Sequence, residues 1–188
     1  LLRDIKVKAD NFTLPPAKAV EVTYERDDMT TYVVGDEVRY SINPIEFLPG
    51  VQCNVIKASM KAGKSRATEE YIKKYNPQRI LIVTARIQQG HTVMGAMEKH
   101  GFELYSESEN ISKQDRVICQ FESLIRLRDC KKWDLIIIDE IRAVLQQSVS
   151  AKTNGAMLQM NNKLLRAFLS HAESSILLDA DIEVDGMV

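Results

Sequence analysis

The sequence predicts an α/β domain: a mainly parallel sheet with helices on both faces, preceded by a small β-rich segment. Three observations carry this. From Val51 onward short apolar runs alternate with helical patterns, the rhythm of repeated β-α units. Two of those runs, Ile80-Leu81-Ile82-Val83 and Leu135-Ile136-Ile137-Ile138, are apolar without interruption, as in strands buried on both faces. The stretch Ala58-Ser59-Met60-Lys61-Ala62-Gly63-Lys64-Ser65 lies between a strand pattern and a helix pattern, which is the setting of a phosphate-binding loop.

In chain order, residues 1–47 form the lead-in. Val20, Val22 and Tyr24 alternate with polar residues, as in a half-buried strand. Tyr32-Val33-Val34 and Val38-Arg39-Tyr40 flank Gly35-Asp36-Glu37, a hairpin pattern. This segment carries no evident chemistry and reads as the end of an upstream region or a flap. Residues 48–188 form the main domain, opening after Leu48-Pro49-Gly50. Val51–Ala58 is the first strand and Arg66–Tyr75 the first helix, stopped at Asn76-Pro77. Strand Ile80–Val83 leads to helix Gln89–His100, with Gly101 just past its end. A short strand Phe102–Tyr105 and a polar loop from Glu107 to Gln114 precede strand Val117–Gln120. A helix with Phe121, Leu124, Ile125 and Leu127 on its inner side follows, then strand Leu135–Ile138 and helix Ile141–Val149. Residues 157, 158, 160, 164, 165, 168 and 169 mark one apolar face of a helix over Met157–His171. Ile176–Asp179 is the final strand. Trp133 reads as a packing residue.

The net charge of −1 gives no global field toward nucleic acid or a membrane, so any polyanion must be held by local donors. Cys53, Cys119 and Cys130 form no CxxC pair. An odd count, with two of the three inside apolar runs, reads as thiols in a reducing, intracellular compartment and argues against a zinc site. No stretch has the length of a membrane-spanning helix or the pattern of a signal peptide. The chain starts at Leu1 rather than Met, which reads as a piece of something longer.

The loop ending Gly63-Lys64-Ser65 is the first chemical centre. Backbone N–H groups of such a loop and the helix N-terminus beyond it favour an anion. Ser59, Lys61, Ala62, Gly63, Lys64 and Ser65 are the expected phosphate contacts, with Lys64 reaching the β- and γ-phosphates and the Ser65 hydroxyl on Mg²⁺. The full pattern opens with Gly where this chain has Ala58, and a Gly-Lys-Ser triplet alone is also found in ordinary solvated turns. The second centre is Asp139-Glu140, at the end of the most apolar strand. Buried carboxylates are costly unless compensated. In a nucleotide hydrolase Asp139 would hold Mg²⁺ and Glu140 would polarise the attacking water, making Lys64 and Glu140 the catalytic pair. An ordinary helix start would also favour acids there. Asp179-Ala180-Asp181 ends the last strand, where ligands of parallel sheets sit; a plain polar strand end is an equal reading. Thr84, Arg86, Gln120 and Ser123, also at strand ends, are the expected nucleic-acid contacts through phosphate oxygens, although each read singly is a cap or turn residue.

Together these residues resemble superfamily 2 helicases of the DEAD/DEAH-like group, over about Val51 to Asp181. Ala58–Ser65 looks like motif I, Thr84-Ala85-Arg86 like motif Ia, Asp139-Glu140-Ile141-Arg142 like motif II, and Asp179-Ala180-Asp181 stands where motif III belongs. Cys119-Gln120-Phe121-Glu122-Ser123-Leu124-Ile125-Arg126-Leu127, the Asp-Glu-Ile-Arg form of motif II and Leu178-Asp179-Ala180-Asp181 narrow the resemblance to the herpesvirus origin-of-replication-binding protein family. The resemblance implies a RecA-like P-loop NTPase domain, ATP and Mg²⁺ as cofactors, and a motor that moves on or unwinds DNA in replication initiation. It implies single-stranded DNA and a second RecA-like domain as partners, no membrane, and a nucleus or viral replication site as the place of action. Arg142 stands where the group has His or Asp, and two acids replace the group's Ser-Ala-Thr. These departures lead to the expectation that Arg142 pairs with Asp179 or Asp181, coupling the two sides of the cleft. Because the chain ends at Val188, directly after motif III, it reads as the first RecA-like domain alone, with hydrolysis nearly absent until a second domain completes the cleft. Two other readings stay open: a P-loop motor of another kind, such as a viral packaging ATPase, and a degenerate nucleotide-binding docking module.

Overall fold

The computed structural model describes residues 20–23, 29–34, 37–42, 53–57, 63–150 and 155–180, of which Ser112 and Ala156, like the strand residues before 53 and Lys57, are described in backbone only. The main sheet contains β1 (Val20–Thr23), β4 (Cys53–Lys57), β5 (Ile80–Thr84), β6 (Glu103–Leu104), β7 (Arg116–Gln120), β8 (Leu135–Asp139) and β9 (Ser174–Asp179). Their order is β1-β4-β9-β8-β5-β7-β6, and every neighbouring pair is parallel. This is the RecA-like arrangement: the strand ending in Asp179 lies between the one that feeds Lys64 and the one that ends in Asp139. The expected hairpin is present as β2 (Met29–Val34) and β3 (Glu37–Ile42), with Val34 opposite Glu37. The first strand of the lead-in joins the main sheet instead, with Val20 opposite Asn54 and Thr23 opposite Lys57.

The uninterrupted apolar runs become the centre of the sheet. All five residues of β5 and the first four of β8 are buried. Successive strand residues point to opposite faces, so their common burial requires cover on both. Each fully buried Leu, Ile or Val contributes about 1.5–3 kcal/mol, which makes these strands the main stabilising element. The cover comes from α1 (Lys64–Tyr75), α2 (Ile87–Met97), α3 (Ile141–Ser148) and α4 (Leu158–His171). Helix α2 passes close over the sheet at Gly90, where a Cβ would stand 3.3 Å from Leu104 Cδ1 and 3.6 Å from Thr84 Oγ1. It ends one turn earlier than the apolar pattern predicts, in a 3-10 turn over Glu98–His100 closed by Gly101 at φ 76°.

The segment after β7, expected as a helix, is a 3-10 helix over Phe121–Leu127. Its buried residues, Phe121, Leu124 and Leu127, are spaced by three, so a helix of three residues per turn puts all of them on one face. Ile125 then falls beside that face and is only half-buried. Asn161 of α4, 0% exposed, secures the segment: its Oδ1 accepts from Ile125 N–H at 3.0 Å and its Nδ2 donates to Glu122 O at 2.8 Å. At the opposite edge of the sheet Trp133 is buried as expected, edge-on to Phe168 and beneath the Arg79 guanidinium, 4.9 Å from its ring centre.

Candidate functional site

Parallel strands present all their C-terminal ends along one edge, and the order β4-β9-β8-β5-β7 sets five of those ends side by side. Register keeps them level. Lys57 lies opposite Asp179, Asp139 opposite Leu178, Val83 opposite Ile138 and Thr84 opposite Gln120. The segments singled out in the sequence therefore meet in one row, although they are scattered over more than half of the chain.

At one end of the row Gly63 precedes α1 with φ 89° and ψ 16°, a left-handed conformation that glycine adopts without strain. Its carbonyl accepts from Ala67 N–H at 3.0 Å, so the helix is properly entered. Yet α1 has no side-chain cap and no acidic residue in its first turn. The first-turn N–H groups of a helix carry its positive end, and such an end favours an anion. Lys64 opens the helix, and Ser65 is exposed. Ser59, Lys61 and Ala62 lie outside the described residues.

Asp139 is the electrostatic focus. Burial pushes its carboxyl above the usual range; a hydrogen bond from Gln89, the Lys64 charge and the Glu140 backbone N–H pull it back, and Asp179 pushes it up again. Lys64 and Asp179 are thus both close enough to Asp139 to be felt. Glu140 is exposed and takes φ 56°, ψ 61°, a left-handed conformation that costs a non-glycine residue about 1–2 kcal/mol. It forms the corner between β8 and α3. Asp179, 7% exposed, reaches the start of α3: the Arg142 backbone N–H donates to its Oδ2 at 2.8 Å. The two motifs expected to be coupled are therefore in contact, and the recorded bond comes from the main chain of Arg142. Asp181 lies outside the described residues.

The expected nucleic-acid residues divide. Arg86 is exposed at the start of α2 and Ser123 is half-buried in the 3-10 helix. Thr84 is 0% exposed, with its hydroxyl donating to Arg86 O at 3.4 Å, so it is a packing residue with no surface to offer a ligand. Gln120 is 8% exposed and its Nε2 donates to Glu122 Oε2 at 3.2 Å. Both residues close strands that are covered on both faces, and that cover extends over the strand ends.

Two residues of this region went unread in the sequence. Gln89 donates through Nε2 to Asp139 Oδ2 at 3.0 Å and accepts through Oε1 from Ala85 N–H at 3.1 Å; nothing in its local sequence distinguishes it from an ordinary polar helix residue. Asn161 had a signal: it falls at helical spacing from Leu158, Leu164 and Leu165, on the apolar face, where a polar side chain must find partners.

A profile described as "Origin of replication binding protein" matches residues 28–185. The chain belongs to this family. An uncharacterized candidate helicase of Acanthamoeba polyphaga mimivirus is 29% identical over 143 residues, 69% of this chain and 13% of that protein. A candidate helicase/primase complex protein of African swine fever virus (isolate Warthog/Namibia/Wart80/1980) is 34% identical over 102 residues, 50% of this chain and 10% of that protein. The match thus spans about one eighth or less of these relatives' length. Among solved structures, the helicase domain of Pyrococcus furiosus Hef covers 65% of this chain, and is itself covered to 25%, at 13% identity and a TM-score of 0.41. That overlay is looser than the strand order, on which the fold assignment stands. No helix among the described residues is long and apolar enough to cross a membrane.

Proposed function

We propose that this chain is the ATP-binding RecA-like domain of a DNA helicase or translocase acting in replication initiation. The observation that carries the reading is the half-buried Asp139 carboxylate, bonded by Gln89 and attracted by Lys64, at the same sheet edge as the N-terminus of α1, which has no side-chain cap. A phosphate chain suits the helix end and Lys64, and a divalent cation suits the carboxylate. The donors, Asp139 and Ser65, are hard oxygens of the kind Mg²⁺ prefers. Bound Mg²⁺ would neutralise charge on the phosphate oxygens.

The remaining roles belong to the chain itself. Lys64 and the first-turn N–H groups of α1 hold phosphate oxygens, with Ser59, Lys61, Ala62 and Gly63 completing the loop. Asp139 is aimed by its hydrogen bonds from Gln89 and the Glu140 backbone N–H, which offset part of the upward push of burial on its carboxyl. Glu140, turned outward by its left-handed backbone, accepts a proton from the attacking water. Asp179 ties β9 to α3 through the Arg142 backbone N–H and so links the phosphate side to the far side of the row, a coupling role in which Arg142 and Asp181 would share. Arg86 and Ser123 offer donors to the phosphates of a single DNA strand. The descriptions of the two viral relatives, a candidate helicase and a candidate helicase/primase complex protein, support DNA and a replication assembly as partners. A second RecA-like domain of the same full-length protein would complete the cleft.

The test is a pair of variants in the full-length protein. Glu140→Gln should bind ATP with unchanged affinity and lose hydrolysis by a factor of about 10² or more. Lys64→Ala should lose ATP binding itself. Hydrolysis that survives Glu140→Gln would remove Glu140 from the chemistry, and a wild type with no hydrolysis for the substitution to change would sink the motor reading in favour of a docking module.

A further inference from the structure

Gln89 is bonded at both ends of its side-chain amide. Oε1 accepts from the N–H of Ala85, which is 2% exposed, and Nε2 donates to Asp139 Oδ2 and reaches Asp139 O at 3.4 Å. The polarity is chemically determined: turned over, the amide would set N–H against N–H and oxygen against carboxylate. One planar group therefore spans β5 and β8. We propose that Gln89 is a positioning residue that couples the Ala85-Arg86 loop to the Asp139 carboxylate, so that a nucleic-acid strand held at Arg86 and a metal-bound nucleotide held at Asp139 alter each other's affinity.

The inference rests on the function proposed above and adds its route of communication. Ala85 is covalently joined to Arg86, so a pull on Arg86 moves the N–H that holds Gln89. The amide cannot follow Ala85 without leaving Asp139, because hydrogen bonds at 3.0–3.1 Å are lost within about half an ångström of stretch. Nor can it stay on Asp139 without leaving a buried N–H without its acceptor. Motion on one side is thus converted into a changed hold on the carboxylate, and by linkage the effect is reciprocal.

The experiment measures equilibrium binding in the full-length protein. The affinity for a labelled oligothymidylate is read with and without Mg²⁺ plus a non-hydrolysable ATP analogue. The wild type should show an affinity ratio of about fivefold or more. Gln89→Met, which loses both bonds, should bring that ratio to about one while both ligands still bind. Gln89→Glu keeps the acceptor for Ala85 but sets a second carboxylate against Asp139, and should lose the ratio with the loop intact; it serves if the Met variant folds poorly. Gln88→Ala, an exposed neighbour, should behave as wild type. Wild-type ratios in both Gln89 variants overturn the coupling alone. A wild type that binds neither ligand overturns the proposed function, and the coupling with it.

Discussion

Replacing Glu140 by glycine and by alanine separates chemistry from backbone strain at one position. Both variants lose the carboxylate, and both should lose hydrolysis in the full-length protein. They differ only in a Cβ. Residue 140 has φ 56° and ψ 61°, where a Cβ crowds the following carbonyl at a cost of about 1–2 kcal/mol. Glycine escapes that cost but gives up about 0.5–1 kcal/mol more conformational freedom on folding. The balance leaves the glycine variant more stable than the alanine variant, by up to about 1.5 kcal/mol. For a domain of this size that corresponds to up to about 6 °C in Tm. Urea denaturation of both variants, with equal m-values, reads the difference directly. The sign is the informative part, since in ordinary helix or strand conformations alanine is the more stable of the two. An alanine variant as stable as the glycine variant, or more so, would refute the strained-corner account of Glu140.

Three further predictions concern Asp139 and Asp179 in this row and Asn161 beneath the 3-10 helix. Asp139→Asn should stabilise the metal-free protein at neutral pH. A carboxyl whose folded pKa is raised lends stability that is present below its unfolded pKa and lost as pH rises through the folded one; wild-type and variant stability curves should therefore converge in acid and separate as pH rises, in thermal melts taken across pH. Asp179→Ala should cost about 1–3 kcal/mol by leaving the Arg142 N–H without its acceptor, read in urea denaturation as a lower midpoint at constant m-value. Asn161→Leu leaves two backbone groups of the 3-10 helix unpaired and should cost about 2–4 kcal/mol, seen as a lower urea midpoint at constant m-value.

Much of this was legible because the relevant signals are local. A run such as Leu135–Ile138 can be satisfied only inside a sheet covered on both faces, and it is buried there. Gly63-Lys64-Ser65 and Asp139-Glu140 stood out because they flank strand patterns, and the structure sets Lys64 and Asp139 at the same edge of the sheet. The misreadings have physical causes too. Thr84 looked like a ligand contact because hydroxyls at strand ends often are, but the close passage of α2 at Gly90 buries it. The type of helix after β7 was not legible because a spacing of three fits either helix over two turns, and Asn161 supports the tighter one from a remote part of the chain. The alternation at Val20–Thr23 announced a strand but not its neighbour, since every parallel strand offers the same ladder of backbone groups.

The sequence by itself therefore determined which residues carry charge, which segments must be buried, and that the Gly63-Lys64-Ser65 stretch and the Asp139-Glu140 pair belong to one α/β domain. These follow from side-chain chemistry and from spacing along the chain. Only the tertiary structure decided the strand order that brings Lys64, Asp179 and Asp139 to one edge, the left-handed turn at Glu140, the main-chain bond from Arg142 to Asp179 and the amide of Gln89 between Ala85 and Asp139. Each depends on distances between atoms far apart in sequence, and hydrogen bonds decided within a few tenths of an ångström leave no periodic trace in the residues that make them.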